Sequence, residues 1–354
     1  MAHAQPPSSS RARRAASRTF VLLMALPAAA CSPDKDRSGI PEIRAGHFPN
    51  ITHAQAVVGR AQGRFEAAMK GRATISWKTF NAGPSAIEAL FAGELDLSYI
   101  GPNPAITGYA RSNGEALRIV AGSCSGGAAL VVRRALGIAK PADMAGRSLA
   151  TPQLGNTQDV AARHWLMENG LSWRERGGNV RILPLSNPDQ LTLFLKGELD
   201  AAWTVEPWVS RLTQEADGTV FLEESSLWPG GRYVTTHVIA ATRFLREHPD
   251  LVRIWLQEHA SITAWIGQRP AEAMAALNQE IHRLTGAPLP QAIMESSMAR
   301  LELTDDPLRE SLLVCARRAF ALGFLGKTEP DLSGIHDLSI LNEIRAAAGR
   351  PPVL

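Results

Sequence analysis

Two segments 104 residues apart share one pattern, and this repeat constrains the fold more than any other feature of the chain. The first runs Pro84-Ser-Ala-Ile-Glu-Ala-Leu-Phe-Ala-Gly93-Glu94-Leu95-Asp96-Leu-Ser-Tyr99-Ile-Gly-Pro102. The second runs Pro188-Asp-Gln-Leu-Thr-Leu-Phe-Leu-Lys-Gly197-Glu198-Leu199-Asp200-Ala-Ala-Trp203-Thr-Val-Glu206-Pro207. Ile87, Leu90 and Phe91 fall at helical spacing, as do Leu191, Phe194 and Leu195. Gly93 and Gly197 can each end the helix in a left-handed conformation. The apolar runs 97–100 and 201–204 then read as short strands covered on both faces. Any α/β protein repeats helix, turn and strand. The shared Gly-Glu-Leu-Asp and the aligned Pro84 and Pro188 favour two similar lobes, and a cleft between lobes can enclose a small ligand.

The N-terminus reads as a processed segment. Arg11, Arg13, Arg14 and Arg18 precede an apolar stretch, Phe20 to Ala30, that is too short to span a bilayer as a helix. Residues 1–30 are therefore expected to be a secretory signal peptide. Cys31 follows three alanines, as in signals whose cysteine is lipidated, although Ala28 stands where such signals usually carry Leu. The alternative is ordinary cleavage beside an incidental cysteine. The polar run Ser32 to Ser38 suits a tether, assigned to residues 31–39. Removing 1–30, with its four Arg and no acid, takes the formal net charge from +3 to near −1. The basic residues are scattered and no nucleic-acid motif is present, so no nucleic-acid partner is expected. With Cys31 set aside, Cys124 and Cys315 remain, too few for a disulfide framework.

Along the mature chain, 40–48 and 73–80 read as strands around a helix over 54–69, followed by the first repeat. This βαβαβ order suits an open, largely parallel sheet whose ligands meet the carboxyl ends of the strands. Strands at 117–124 and 127–133 meet at Ser123-Cys-Ser-Gly-Gly127, either a crossing between lobes or a β-hairpin loop. Tyr233 to Ala240 reads as the return crossing, and from Thr242 onward the chain is mainly helical, with helices at 271–285, 288–300, 307–323 and 337–348.

Four strand-to-helix loops are rich in small polar residues: Asn50-Ile-Thr52-His53, Asn81 to Ser85, Gly101-Pro-Asn103 and Gly155 to Asp159. Free N–H groups at helix starts attract anions, and Thr52, Ser85, Asn103 and Thr157 can add donors. Each loop could equally be a plain helix cap. Glu206 could hold an ammonium group, a hydroxyl or a pyrimidine edge, or lie on a lobe surface. Trp203 could stack on a ligand or fill the core, and His53 could contact the ligand or be structural. Enzyme patterns are poor: there is no nucleophile elbow, P-loop or dinucleotide-binding glycine pattern, and His47 and His53 lack a metal spacing. Cys124 is the one plausible nucleophile. No cofactor or metal is expected.

These motifs together resemble the nitrate/sulfonate/taurine family of ABC-transporter substrate-binding proteins, over about Ile40 to Leu325. The carriers are the lipoprotein-like start, 81–97, Gly101-Pro-Asn-Pro, 143–152, Gly155-Asn-Thr-Gln-Asp and 197–207. The resemblance implies the type II periplasmic-binding-protein fold: two open, doubly wound α/β sheets joined by crossing strands, with a helical C-terminal part. Lobe one would comprise 40–123 plus 237–354, and lobe two 128–233. Ser85 and Asn103 would contact the ligand from lobe one, Thr157, Gln158 and Glu206 from lobe two, with Asn50, Thr52 and His53 completing the site. The resemblance further implies a periplasmic monomer held to a membrane by its lipid alone. It would carry a small anionic solute to a permease driven by an ATPase. The same fold resembles thiamine-pyrimidine synthases, and a binding protein serving a membrane sensor is a third alternative. A taurine-like ligand would suit Glu206 better than nitrate.

Overall fold

The computed structural model describes residues 39–354; the signal peptide, Cys31 and all of the tether but Gly39 lie outside the described residues. The chain opens with β1 (Glu42–His47), a 3₁₀ turn over Ile51–His53, α1 (Ala54–Ala61) and α2 (Arg64–Ala68). One helix was expected over 54–69. Two form because Gly63, at φ 61°, takes the left-handed conformation between them. Then come β2 (Thr74–Thr79), α3 (Gly83–Phe91), β3 (Leu97–Ile100), α4 (Pro102–Arg111), β4 (Leu117–Gly126) and β5 (Ala128–Arg133).

A second βαβαβ unit follows: β6 (Ser148–Thr151), α5 (Thr157–Glu168), β7 (Arg181–Pro184), α6 (Asn187–Leu195) and β8 (Ala201–Val205). It continues through α7 (Trp208–Glu215), β9 (Gly218–Glu223) and β10 (Val234–Ala241). The remainder is α8 (Thr242–Glu247), α9 (Pro249–Gln268), α10 (Pro270–Thr285), α11 (Gln291–Ala299), β11 (Leu301–Leu303), α12 (Arg309–Ala321) and α13 (Ser339–Ala347).

The strands form a six-stranded sheet in the order β11-β4-β10-β3-β1-β2 and a five-stranded sheet in the order β7-β6-β8-β5-β9. β1 pairs in parallel with β2 and β3, and β6 in parallel with β7 and β8. The repeat seen in the sequence is present in the register. Ala45 lies opposite Leu97 in the first sheet, and Leu149 lies opposite Ala201 in the second, the same offset of 104 residues. The two aspartates of the repeated Gly-Glu-Leu-Asp do one job. Asp96 accepts the Arg44 backbone N–H at 2.9 Å, and Asp200 accepts the Ser148 backbone N–H at 2.8 Å. Each carboxylate pins the start of its repeat strand to the neighbouring strand.

β4 and β5 are not a hairpin, since they belong to different sheets. The chain crosses at Gly126 and Gly127, whose φ values are 83° and 78°. A Cβ on Gly126 would lie 2.6 Å from the Arg300 carbonyl oxygen, and one on Gly127 would lie 2.2 Å from Leu301. β10 makes the return crossing and pairs antiparallel with β3 and β4.

The first sheet packs against α9 and α10 through a core centred on Phe65, Tyr99 and Trp255, with Phe65 and Trp255 stacked 4.1 Å apart. The second sheet has Trp165, Trp203 and Leu166 on one side and Phe194, Val209 and Leu212 on the other. α12 is shared. Leu312, Cys315 and Ala316 pack with Ile100, Ile106 and Ile119, whereas Ala319 and Leu322 pack with Trp165 and Trp203. No described helix is long and apolar enough to cross a membrane.

Candidate anion-binding cleft

The parallel strands of both sheets end at the same place, and their loops face each other there. The first sheet contributes Asn50, Thr52 and His53 after β1, Asn81 after β2 and Gly101 after β3. The second contributes Thr157 and Gln158 after β6 and Asn187 after β7, and Thr235 and Thr236 of the return strand form the back. The space enclosed between these groups is narrow, about 20 Å³.

Each polar group is held from behind. Asp159, fully buried, accepts from Thr151 Oγ1 at 2.9 Å, from the Gly155 N–H at 3.0 Å and from Arg163 at 2.9 Å, which fixes the loop before α5. Asn156 caps α5 by accepting from the Thr157 N–H. Thr157 therefore sits on the first turn of a twelve-residue helix, where the backbone dipole favours negative charge. Asn50 Oδ1 accepts from Trp208 Nε1 at 3.0 Å. Indole nitrogen only donates, so the bonded atom of Asn50 must be its oxygen and its NH₂ is left to donate elsewhere.

Two donors have nothing to bond. The Oγ1 atoms of Thr157 and Thr236 are buried and without a hydrogen-bond partner, although both residues line the cleft. A buried polar group normally has a partner, and leaving one without costs free energy. His53 is neutral: burial pushes its pKa well below the usual value, and the nearby His47 adds to the effect. Its Nδ1 accepts the Phe48 N–H at 3.3 Å, and its ring stacks on Phe48 at 4.5 Å. Its Nε2 therefore carries the proton. Among the described residues, no Lys, Arg, Asp or Glu lines this cleft. The charge of any ligand would thus meet neutral donors and a helix terminus.

The structure brings together Asn50, Thr52, His53, Thr157 and Gln158 of the residues expected from the sequence. It puts the other three elsewhere. Ser85 is exposed at the rim, where its Oγ reaches Gln153 Oε1 at 3.4 Å from the facing loop. Asn103 is buried in α4, and its Nδ2 donates to the Cys315 carbonyl at 3.4 Å, joining α4 to α12. Glu206 is fully buried away from the cleft. It accepts from Ser210 Oγ and Ser297 Oγ, both at 3.0 Å, and from the Ser210 N–H at 3.1 Å, with Arg300 at 3.4 Å. Burial raises its pKa, and the Ser210 N–H and Arg300 pull it back.

Trp203 is core, its Nε1 donating to buried Glu224 at 2.7 Å. Cys124 is buried and burial pushes its thiol pKa up, the opposite of what a nucleophile needs. Asn187, Thr235 and Thr236 were not anticipated. The signal for Asn187 lay in the repeat, because it precedes Pro188 as the Asn81-Ala-Gly loop precedes Pro84.

Two duplicated α/β sheets, a double crossing and a polar cleft at facing strand ends define the type II periplasmic-binding-protein fold. Residues 36–279 match the NMT1-like family, and the chain belongs to that family. It is 26% identical over 201 residues to the taurine-binding periplasmic protein of Escherichia coli K12, covering 56% of this chain and 58% of that one. The chain thus spans a little over half the length of the curated relatives it matches. Among solved structures it is similar to the alkanesulfonate-binding protein of Xanthomonas axonopodis pv. citri bound to MOPS, at 20% identity and a TM-score of 0.69. That match covers 83% of this chain and 97% of that chain. The periplasmic nitrate-binding protein of Synechocystis PCC 6803 gives a TM-score of 0.69 at 13% identity, covering 87% and 89%. The relatives matched here are named as binding proteins, not enzymes.

Proposed function

We propose that the chain is an exported solute-binding protein of an ABC importer that captures a small, singly charged oxyanion of the sulfonate, taurine or nitrate class. The observation that carries this is the pair of buried, unpartnered hydroxyls, Thr157 Oγ1 and Thr236 Oγ1, on residues that line the cleft, the first of them at the start of α5. An oxyanion supplies the acceptors they lack. The neutral lining supports one negative charge rather than two, since no side-chain cation is present to match a second.

In this reading Asn50, Thr52, His53, Thr157 and Gln158 contact the ligand, joined by Asn81, Asn187 and Thr236. Ser85, Asn103 and Glu206 act indirectly, at the rim, between α4 and α12 and beside the crossing. Residues 40–123 plus 237–354 and residues 128–233 move as two bodies. The ligand holds them together because only the closed form makes both sets of contacts. The closed protein then docks, as a monomer, on a permease driven by its ATPase.

Lipidation at Cys31, after removal of 1–30, would hold the protein at a membrane facing the periplasm. Cys31→Ser should move it from the membrane to the soluble fraction, and unchanged fractionation would remove the anchor. The ligand class is tested by thermal shift of the purified protein with taurine, alkanesulfonates, nitrate, sulfate and bicarbonate. A ligand at 100 times its Kd stabilises by about 2.7 kcal/mol. A response to a singly charged oxyanion supports the proposal. Silence across the panel, with no small molecule released from the denatured protein, would refute it.

A further inference from the structure

Four side chains that line the cleft have an acceptor atom occupied from behind by a donor. Asn50 Oδ1 takes the Trp208 indole N–H at 3.0 Å, and Asn187 Oδ1 takes the Thr204 hydroxyl at 3.1 Å. Asn156 Oδ1 takes the Thr157 backbone N–H, and His53 Nδ1 takes the Phe48 N–H at 3.3 Å. What each has left to offer a ligand is an N–H. The hydroxyls of Thr157 and Thr236 add to this excess of donors, because neither has a partner within the protein. Thr235 runs the other way, since its hydrogen goes to the Gly126 carbonyl at 2.6 Å and its lone pairs remain. Asparagine standing before a helical turn commonly gives its oxygen to the N–H groups of that turn. Asn50 stands before the 3₁₀ turn Ile51–His53 and makes no such bond. Its oxygen goes to Trp208, at the start of α7 and 158 residues away. A side-chain amide can turn over and exchange its oxygen for its NH₂ with little change of shape. Indole accepts nothing, so Trp208 holds the Asn50 amide one way round.

We propose that Trp208 is a specificity-determining positioning residue, which keeps Asn50 a donor and so selects oxyanions that carry no hydrogen over anions that bear an O–H. The proposal rests on the anion reading of the cleft. An oxyanion without hydrogen supplies an acceptor to each of these N–H groups. An anion of the same charge that bears an O–H must set that hydrogen among groups that mostly donate, and a mismatched polar hydrogen weakens binding by about tenfold or more. Without the indole N–H, the Asn50 amide is free to turn its oxygen to the ligand and accept that hydrogen. The indole itself is firmly seated. Trp208 is buried in the core that holds Leu191, Val209 and Leu212. Its ring is covered by Arg211 at 5.0 Å, which is paired with Glu215 at 2.9 Å.

The test compares nitrate with bicarbonate, which are both planar, singly charged anions with three oxygens and differ by one hydrogen. Each is titrated calorimetrically into the full chain in weakly alkaline buffer, directly or by displacement of methanesulfonate. Nitrate should bind tighter by about tenfold or more. Trp208→Phe keeps an aromatic ring and loses the N–H, and it should reduce that ratio several-fold. A purely structural role for Trp208 would weaken both anions alike and leave the ratio as it was. Should that variant not fold, Asn50→Asp reads the same contact, because it puts an oxygen where the NH₂ stood and should shift the ratio toward bicarbonate. A ratio unchanged in the folded variant would overturn the positioning role. A ratio near one in the unaltered protein, or failure of both anions to displace a bound sulfonate, would overturn the selection and leave anion binding standing. Failure of every anion to bind, sulfonates included, would overturn the anion reading, and this proposal with it.

Discussion

Replacing Thr157 with valine should weaken ligand binding and strengthen the empty protein at once. The two side chains have nearly the same shape, so the substitution exchanges a hydroxyl for a methyl group and changes little else. Thr157 Oγ1 has no hydrogen-bond partner within the protein. No internal bond is therefore lost, and the cost of burying an unsatisfied hydroxyl, about 1–3 kcal/mol, is relieved. For a domain of this size that corresponds to a rise in Tm of about 1.5–4.5 °C. In the complex the same hydroxyl would donate to a charged acceptor, a bond worth about 1.5–3 kcal/mol. Affinity should then fall roughly 10-fold to 150-fold. Differential scanning calorimetry of the empty protein and titration calorimetry of the complex read the two effects separately. A lower Tm with unchanged affinity would show that Thr157 caps its helix and does not hold ligand.

Gly101→Ala should weaken binding with little change in the Tm of the empty protein. A Cβ there would lie 2.6 Å from Thr157 Oγ1 across the cleft and keep the lobes apart, and unaltered affinity would deny that closure brings these residues together. Glu206→Gln should change affinity for taurine, alkanesulfonates and nitrate by one common factor, because Glu206 bonds to Ser210, Ser297 and Arg300 and does not line the cleft. A loss confined to taurine, measured by parallel titrations, would put an ammonium group on this carboxylate. Acid should destabilise the protein from pH 6.5 downward. Burial lowers His47, His259 and His336 to about 4 and His237 to about 3, so the unfolded chain binds protons that the folded chain refuses. Each histidine then removes about 1.4 kcal/mol per pH unit until its folded pKa is reached. The raised carboxyls of Glu206 and Glu224 act oppositely, costing stability as pH rises through their folded values, but with His53 and His164 also lowered they are two against six. A Tm that stays flat between pH 6.5 and 4.5 would contradict this.

Much of the architecture was legible because the chain states it twice. The helix, Gly-Glu-Leu-Asp and strand pattern set both repeat strands and, through Asp96 and Asp200, their attachment to neighbours. The crossing at Gly126 and Gly127 was narrowed to two readings, and only the sheet assignment could separate them. The site was half legible. Polar loops after strands are visible in a sequence, but the direction of a side chain at a strand end is not. Glu206 immediately follows β8, yet its carboxylate turns toward Ser297 and Arg300, more than 90 residues further on in the chain. Asn103 lies one residue into α4, and its partner is a carbonyl of α12. Thr236 escaped notice because it belongs to a strand, and only the pairing of β10 with β3 and β4 carries it to the back of the cleft.

α12 ties two cores together. Its first half belongs to one core through Leu312, Cys315 and Ala316, and its last turn belongs to the other through Ala319. A helix resists bending, so α12 is a stiff link between the two cores. The crossing strands are thus not the whole connection between the two cores, because α12 splints them from the side.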